Sequence, residues 1–556
     1  MHPGEPTEPP SPTKSADSVD EDVVALSIEQ LRVIHNEAGC VGVPDTTISR
    51  LNKLAACKKP TQFELAIYIA ELVLVKYRYV LDTIQNKDFL LWFDGSLYRY
   101  DRPDNCYVYA QHSVIAVLNA ATERTDGQFM TNVFKILGMV SSKDFRSTFD
   151  QVNKELKSSH FYIERRLTEP QELFRKLDRH PYMIGCKNGI YDLKTGHFYS
   201  RGSIPSGVYV TMSVGYDFIG DVNGDPANEE QERKMLELEE LVYNKIFPEE
   251  ATRLCAQSIF ASMLISGSGV TKKLFCAIGQ KGNNGKTVLF NTLLQHTLGD
   301  YYYCLRNNAI YNPNQSADAC EPNLVLARKC KVAVLNEGDQ NRPLNASLVK
   351  ELTGGDPINA RNLHSQPVRE EFYPKLVLLS NYVPVIAGHD PALLRRIYPL
   401  DHVAVFDKTI DKDDPSNYVW KAMCETDLRI YLEEAAPFNL LLMIRWAKKF
   451  MSSQFLLPDV PMSSVAQGLI MENTIEHKLR EILEEGYVKV SDSKEATDLK
   501  DVMALGGIRL SMSDTQLICE SLGYTCRQVN VAGKRIKMAI FAKHKPPQPP
   551  QPHEQQ

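Results

Sequence analysis

A glycine-rich segment with one lysine and one threonine is the part of the sequence best suited to chemistry. Residues 279–287 have the sequence GQKGNNGKT, follow the apolar run 274–278 and precede VLFNTLLQHTL, whose apolar residues have helical spacing. A strand, a glycine-rich turn, Gly-Lys-Thr and a helix are together the context of a phosphate-binding loop. Glycines allow backbone amides to face phosphate oxygens, and the helix N-terminus adds partial positive charge. The segment therefore predicts a nucleotide site.

Each residue of this loop has an expected part in that site. We expect Lys286 to reach the β- and γ-phosphates and the hydroxyl of Thr287 to bind Mg²⁺. The strict pattern GxxxxGK[ST] is not met, because Gln280 occupies the place of its first glycine and a glycine lies one residue earlier. We therefore expect a loop one residue longer than usual. The other residues of the predicted cradle are Gly279, Gly282, Asn283, Asn284 and Gly285.

Downstream segments supply the other groups that a nucleotide-hydrolysing site needs. Apolar runs typical of buried strands end at the acids Glu337 and Asp339 and at the amide Asn381. An arginine pair, Arg395 and Arg396, precedes a further apolar run. Each segment alone is more typical of surface acids, a turn residue or surface arginines. Together with the loop lysine they span about 110 residues, which predicts a site at the carboxyl ends of strands in an α/β P-loop domain.

The combination resembles the superfamily 3 helicases, in the branch found in viral and phage primase-helicases. KELTGGDPINAR (350–361) is similar to that family's motif between its second and third signatures, and HPYMIGCKNGIYDLKTG (180–196) to the domain that precedes the ATPase. The likeness covers roughly residues 160–545 and is most specific over 274–400. It implies an α/β fold: a P-loop AAA+-like ATPase domain of superfamily 3 type, with an α+β N-terminal domain and a C-terminal winged-helix-like module.

The resemblance also implies cofactors and catalytic roles. Lys286 and Thr287 would bind ATP and Mg²⁺, and Asn381 would sense the γ-phosphate. Glu337 would polarise the attacking water or support the metal. Arg396, with its neighbour as a substitute, would reach into the site of the next subunit, which implies a homo-hexamer.

One departure affects the acidic residues. Asn336 stands where several relatives carry a second acid, so Glu337 and Asp339 would share the metal and base roles. Glu337 is the favoured base because it lies closer to the strand end.

Two segments carry candidate contacts with DNA. In related rings the segment after Gly354 and Gly355 forms a hairpin that follows the DNA in the central channel, and here the candidates are Lys350, Arg361 and His364. A histidine at a loop tip is more often simply solvated. In the carboxy-terminal part, residues 511–541 indicate a helix followed by a strand pair, as in a winged-helix module. Residues 523–545 contain six basic residues and no acid, with Lys534 and Arg535 as the candidate phosphate contacts, although a solvated basic face has the same composition.

The composition limits the classes of protein to which this chain can belong. The 556 residues have a net charge of −6, and seven acids against one lysine in the first thirty residues account for all of it. A neutral body excludes a protein that binds nucleic acid by bulk charge alone. The twelve scattered cysteines form no CxxC pair and indicate reduced thiols. We expect a soluble intracellular protein, in the cytoplasm or nucleus of the host if viral, without a membrane span.

The composition shifts along the chain predict five segments. They are a disordered acidic tail (1–22), an N-terminal α+β domain (23–224), the P-loop ATPase (225–450), a winged-helix-like domain (451–544) and a disordered Pro/Gln tail (545–556).

The leading interpretation is an ATP-dependent, ring-forming DNA helicase of viral or mobile-element replication. Its partners would be single-stranded or forked DNA, further copies of the chain, and a separate primase and polymerase. The alternatives are a P-loop motor or remodeller without helicase activity, and the helicase subunit of a primase-helicase. The only early Asp-x-Asp, Asp20 and Asp22, lies in the acidic tail, so we expect no primer synthesis. No two of the thirteen histidines are spaced two apart, which argues against a nicking initiator.

Overall fold

The computed structural model describes residues 26–542 apart from a set of gaps. The gaps are 57–60, 83–86, 102, 126, 142–144, 159–160, 163–168, 306–309, 312–321, 337–341, 356, 361–367, 387–389, 462–478, 481, 484–496, 506–511, 523 and 532–533. Both predicted tails and four predicted site residues therefore lie outside the described residues, the four being Glu337, Asp339, Arg361 and His364. The chain divides into two compact units, residues 1–94 with 98–177 and residues 95–97 with 178–556.

The first unit is mainly helical. The apolar residues at helical spacing in helix Gln62–Lys76 form one buried face: Leu65, Tyr68, Ile69, Leu72 and Val73. A turn at Asp94 and Gly95 joins two antiparallel strands of a three-stranded sheet. The strands are β1 Tyr77–Asp82, β2 Lys87–Phe93 and β3 Tyr98–Asp101. The helices are Ile28–Glu37, Asp45–Ala56, Gln62–Lys76, Pro103–Thr122, Gly127–Ser141, Phe145–Lys157 and Pro170–Lys176.

The second unit begins with a small antiparallel sheet. Its strands are β4 Met183–Cys186, β5 Gly189–Asp192 and β6 His197–Ser200. Tyr191 stacks on Phe218 at 5.2 Å between ring centroids, and both belong to the same hydrophobic core as the helix that follows the glycine-rich loop. The division after Leu177 thus differs from the expected boundary at residue 224, because residues 178–224 share their core with the rest of the second unit.

A five-stranded parallel sheet forms the centre of the second unit. Its strands are β7 Leu274–Ile278, β8 Tyr302–Leu305, β9 Val332–Leu335, β12 Lys375–Ser380 and β13 Ile397–Asp401. The order is β13-β7-β12-β9-β8, so three strands with predicted polar ends are adjacent. Every residue of β7, β9 and β12 is buried, as their continuous apolar runs indicate for a sheet covered on both faces. The predicted α/β class is confirmed at this level.

Helices cover this sheet and fix the position of the loop. The long helix Glu425–Ser452 carries the buried Asn439, which accepts a hydrogen bond from the Tyr243 hydroxyl (2.8 Å) and donates one to Thr297 (2.8 Å). Thr297 lies in the helix that follows the loop, so one buried amide joins three helices. The others are Glu229–Leu238 (continuing as a wider turn to Asn244), Glu250–Met263, Val288–Leu298 (first turns widened), Pro322–Ala327, Ala346–Gly354 and Pro391–Leu394.

Three small sheets complete the unit. The hairpin of β10 Ile358–Ala360 and β11 Val368–Glu370 confirms the hairpin expected after Gly355, and its tip lies outside the described residues. Two short parallel strands follow β13, namely β14 Val405–Asp407 and β15 Val419–Lys421. The carboxy-terminal module has the sheet order β16-β18-β17 and confirms the predicted helix and strand pair. Its elements are β16 Thr497–Asp498, helices Leu499–Leu505 and Met512–Ser521, β17 Tyr524–Val531 and β18 Lys534–Ala542.

The described part of the chain contains ten free cysteines, of which eight are buried, as their scattered spacing indicated. Among the described helices, none combines the length and the apolar character needed to cross a bilayer.

Two buried lysines close the end of the sheet opposite the loop. Lys331 donates to the carbonyls of Leu264 (2.8 Å) and Pro181 (3.1 Å), and Lys375 donates to those of Ile265 and Gly267 (both 2.7 Å). Lys331 directly precedes β9, and Lys375 is the first residue of β12. Both lysines hold the end of helix Glu250–Met263 against the sheet. Burial lowers the pKa of each lysine to about 7, and the charge of Lys331 lowers that of Lys375 further.

These lysines predict an unusual pH dependence of stability. Between pH 7 and about 10 the unfolded chain holds more protons than the folded one, so stability rises with pH, by up to about 1.4 kcal/mol per pH unit for each lysine. Denaturant unfolding at several pH values measures the slope. Lys375→Met reduces the slope, whereas Lys449→Met, at an exposed position of the long helix, leaves it unchanged. Equal slopes in all three proteins would contradict the prediction.

Candidate nucleotide site

The predicted strand, loop and helix are present in the expected order. β7 ends at Ile278, the loop crosses the carboxyl edge of the sheet, and the helix begins at Lys286. The amide of Gly279 donates to the carbonyl of Ser380 (3.2 Å), which joins the start of the loop to the end of β12. Asn283 and Gly285 have positive φ angles of 54° and 80°, so the backbone reverses direction twice just before Lys286.

The ammonium of Lys286 is the centre of the site. It donates to the carbonyl of Gly279 (3.0 Å), to Asn284 Oδ1 (2.9 Å) and to Asn381 Oδ1 (2.9 Å). The side chain is 8% exposed, and burial lowers its pKa to about 8. Two residues predicted from separate segments, Lys286 and Asn381, are therefore in direct contact.

The shape of the loop requires glycine at its first position. A Cβ on Gly279 would lie 2.1 Å from Asn284 Nδ2 and 3.0 Å from the carbonyl oxygen of His402. The amide of Asn284 fills this space while it accepts from Lys286 and donates to the Lys281 carbonyl. This side chain accounts for the glycine at position 279, and the extra length of the loop stays a prediction.

An amide network links the helix after the loop to β9. Asn336, directly after β9, accepts from Asn291 Nδ2 (2.7 Å) and donates to the Cys304 sulfur (3.3 Å). Asn291 in turn accepts from the Tyr302 hydroxyl (3.0 Å). A carboxylate at position 336 would accept from Asn291 but would not donate to Cys304. The amide of Asn336, at the position where the resemblance led us to look for a second acid, therefore has a structural role here.

The arginine pair lies at the opposite edge of the sheet from the loop, which corrects the expectation of one site at the strand carboxyl ends. Arg396 precedes β13, whose first residue pairs with Leu274 at the start of β7. The rest of β7, roughly 13 Å of strand, separates this level from the loop. Arg396 donates to the Ala392 carbonyl (3.0 Å) in the preceding helix Pro391–Leu394, and its buried Nε has no hydrogen-bond partner among the described residues.

The candidate DNA contacts are described only in part. Lys350 forms an ion pair with Asp390 (2.9 Å), and Asp390 also accepts from the amides of Ala392 and Leu393 (both 3.0 Å). This lysine therefore holds the turn before the arginine pair. Lys534 and Arg535 begin β18, opposite Val531 and Asn530 of β17, and only their backbone positions are described.

The described residues hold one of the three predicted metal ligands, Thr287, whose side chain is exposed at the start of the helix. Within those residues, no three His, Cys, Asp or Glu side chains converge on a point suited to a metal ion. Glu337 and Asp339 follow β9 in the chain and lie outside the described residues.

Sequence reasoning missed the chain that follows β13. His402 Nδ1 lies 3.1 Å from the Asn284 carbonyl oxygen, and the Phe406 amide donates to the Asn283 carbonyl (2.8 Å). Both contacts join residues about 120 positions apart and carry no local sequence signal. The one available signal was the place of His402 directly after an apolar strand.

Two glycines of the loop give a matched test of this geometry. Gly279→Ala forces Asn284 away from Lys286, and we expect a loss of about 1–3 kcal/mol in the free energy of unfolding. Gly282→Ala serves as the control, because no atom lies within 4 Å of a Cβ at that position. Denaturant unfolding of both variants measures the difference, and equal stability of the two would show that the Asn284 contact is not rigid.

Two family models match parts of the chain. The model described as "D5 N terminal like" matches residues 110–238, and a family of unknown function, DUF5906, matches residues 277–396. The second match begins in β7 and ends at Arg396, so it contains the loop, Asn381 and the arginine pair.

The chain is also similar to named viral proteins. "Putative helicase L207/L206" of Acanthamoeba polyphaga mimivirus is 22% identical over 78% of this chain and 44% of its own length. "Putative helicase 184R" of Invertebrate iridescent virus 6 is 27% identical over 42% of this chain and 24% of its own length. "Putative helicase 022R" of Frog virus 3 is 28% identical over 46% of this chain and 26% of its own. The chain thus spans less than half the length of the curated relatives it matches.

Among solved structures, the NrS-1 C-terminal region is 14% identical, with a TM-score of 0.32 over 55% of this chain and 75% of that one. A TM-score this low does not establish a shared fold. The D5-type match and the viral relatives confirm the likeness to viral helicases of the primase-helicase type, and membership of superfamily 3 stays a prediction.

Proposed function

We propose that this protein is an ATP-dependent DNA helicase that acts as a ring in the replication of a virus or mobile element. The observation that carries the proposal is the contact of the Lys286 ammonium with both the glycine-rich loop and Asn381 (2.9 Å). A buried lysine held between a loop and a neighbouring strand end is placed to bind a phosphate and to report its presence to the sheet. The names of the viral relatives support a helicase over other P-loop enzymes.

The residues of the loop fit a Mg²⁺-bound triphosphate. The three acceptors of Lys286 all belong to the protein, so a phosphate oxygen would replace at least one of them when it binds. Asn381 is the acceptor outside the loop, and its release or reorientation would distinguish the occupied from the free site. Thr287 would provide its hydroxyl to Mg²⁺, which polarises the γ-phosphate when bound. Glu337 and Asp339 would hold the metal and activate the attacking water.

The location of Arg396 supports a site shared between subunits. This arginine lies at the far edge of the sheet from its own loop, so it would act on the nucleotide of a neighbouring copy. Arginines supplied in trans contribute about 10³–10⁵-fold to turnover in other phosphoryl-transfer enzymes. The ion pair of Lys350 with Asp390 would hold the turn that carries Arg396. The assembly proposed on this basis is a homo-hexamer.

DNA would bind away from the nucleotide. The hairpin of β10 and β11 would enter the channel of the ring, and Arg361 and His364, which lie between these strands in the sequence, would contact the DNA. The strand pair with Lys534 and Arg535 would add phosphate contacts, which make binding depend strongly on salt. A separate primase and polymerase would act with the ring. The alternative is a P-loop motor that translocates on or remodels nucleic acid without separating its strands.

Removing the loop lysine is the direct test of the proposal. Lys286→Ala is expected to lower ATPase turnover at least about 100-fold and to abolish unwinding of forked DNA, because the phosphates lose their charged partner. Lys194→Ala, at an exposed turn of the same unit, is the control and should retain both activities. ATP hydrolysis and strand displacement are measured on folded protein, checked by circular dichroism. Wild-type turnover by Lys286→Ala would exclude the proposed site, and hydrolysis without displacement by the wild type would favour the alternative motor.

Mixing two inactive variants tests the shared site. Arg396→Ala and Lys286→Ala should each be nearly inactive alone. In mixed rings, a subunit with intact Lys286 can neighbour one with intact Arg396, so part of the ATPase activity should return. Substantial activity of Arg396→Ala alone would show that the adjacent Arg395 can substitute for Arg396. If no mixing ratio restores activity although mass measurements confirm mixed rings, the arginine does not act between subunits.

A further inference from the structure

We propose that His402 is a positioning residue for the nucleotide loop, because its ring N–H holds the carbonyl of Asn284 and thereby aims the next backbone amide at the phosphates. The inference rests on the nucleotide site proposed above and adds to it a residue that directly follows the neighbouring strand β13. It assigns to His402 a role in binding the triphosphate without direct contact with it.

The backbone around His402 extends the sheet along the loop. The amide of His402 donates to the carbonyl of Ile278 (2.7 Å), the last residue of β7. Four residues later, the amide of Phe406 donates to the carbonyl of Asn283 (2.8 Å). Residues 402–406 thus run alongside the loop, and these two hydrogen bonds fix the position of His402 next to it.

The ring of His402 has a defined protonation state. Nδ1 lies 3.1 Å from the Asn284 carbonyl oxygen, which can only accept, so Nδ1 carries the proton in this contact. Burial lowers the pKa of His402 to about 3, and the nearby charge of Lys286 acts in the same direction. The ring is therefore neutral, and Nε2 is a bare acceptor. This nitrogen is buried and has no hydrogen-bond partner among the described residues.

The unpaired Nε2 of His402 indicates that the residue does more than fill space in the core. Phe247 and Phe290 pack against the ring, with centroids 4.9 and 6.0 Å from it. An apolar ring would suit these aromatic neighbours as well and would not leave a buried acceptor unsatisfied, which destabilises a fold. The hydrogen bond to Asn284 is the one interaction that a phenyl ring could not provide.

The geometry of the peptide bond connects this hydrogen bond to the phosphates. The described backbone contains no cis peptide, so the Asn284 carbonyl and the Gly285 amide point in opposite directions. A donor that holds the Asn284 carbonyl towards His402 therefore directs the Gly285 N–H away from His402, in the opposite direction. Gly285, which has a φ of 80° here, can adopt positive and negative φ angles about equally well, so this peptide can rotate unless it is held. Amides that converge in such loops form the anion cradle.

Two substitutions at this position separate the hydrogen bond from the packing. His402→Phe keeps the ring volume and removes the donor. His402→Asn places an amide donor near the position of Nδ1 and removes the ring. We expect His402→Phe to bind a fluorescent ATP analogue about 3–10-fold more weakly with an unchanged or higher melting temperature. We expect His402→Asn to bind within about twofold of the wild type with a lower melting temperature.

The control is a second buried histidine, in the other compact unit. His35 lies 2.7 Å from the Leu31 carbonyl oxygen and 2.8 Å from the Tyr68 hydroxyl. His35→Phe should lower the melting temperature and leave nucleotide affinity unchanged. Equilibrium fluorescence titration and thermal unfolding of the full chain measure both quantities for all variants.

The outcomes distinguish this inference from the proposed function. If the wild type does not bind the analogue, both fail. If the wild type binds and His402→Phe binds as tightly, the proposed site stands and the positioning role of His402 is wrong. If affinity falls with melting temperature in both His402 variants, the residue acts through stability alone and the inference is likewise overturned.

Discussion

A lysine ammonium withdrawn from water is the constraint from which the geometry of the site follows. Lys286 is buried, so each of its three protons needs an acceptor, and the structure supplies one each from Gly279, Asn284 and Asn381. The loop must bend back towards its own start to bring the first two together, and that bend leaves no room for a side chain at Gly279. The third acceptor requires that β12 lie beside β7. The charge of Lys286 therefore determines the conformation of the loop, the need for glycine at position 279 and the position of β12 beside β7.

The two edges of the parallel sheet have different polar groups with different tasks. At the carboxyl edge the strand ends meet Lys286, Asn381 and the Asn336 amide. At the amino edge two buried lysines, Lys331 and Lys375, satisfy the carbonyls at the end of a helix. Charges at both edges are desolvated, and hydrogen bonds offset that cost only where carbonyl or amide oxygens are held in place by secondary structure. The sheet provides that rigidity, since its central strands are buried along their whole length.

The parts of the structure that local patterns specify were predictable, and those that depend on distant contacts were not. The strand, loop and helix around Lys286 and the turns of β4 to β6 follow from apolar runs, glycines and spacing. The contact of Lys286 with Asn381 was predictable in outline, because both follow parallel strands. The partner of Asn284 was not, since His402 lies more than a hundred residues away and a single sequence contains no record of the pairing. The arginine pair was assigned to the wrong edge because residues before and after a strand were treated alike. The burial of Lys331 and Lys375 was not predictable from their residue type, because lysine side chains are usually exposed.

Strand β13 connects the two features of the site that are farthest apart. Just before it, the carbonyl of Arg396 accepts from the Leu274 amide (2.7 Å), and just after it, the His402 amide donates to the Ile278 carbonyl (2.7 Å). β13 is thus bonded to β7 along its full length, with the arginine at one end and the histidine that holds the loop at the other. A shift of the arginine end along β7 would have to break these bonds or carry His402 with it. The distance between Arg396 and the loop of the same chain is therefore fixed. If Arg396 acts on a nucleotide, that nucleotide would be bound to another copy of the chain. A shift of Arg396 would then also affect the loop of its own chain, because the short strand β13 connects the two.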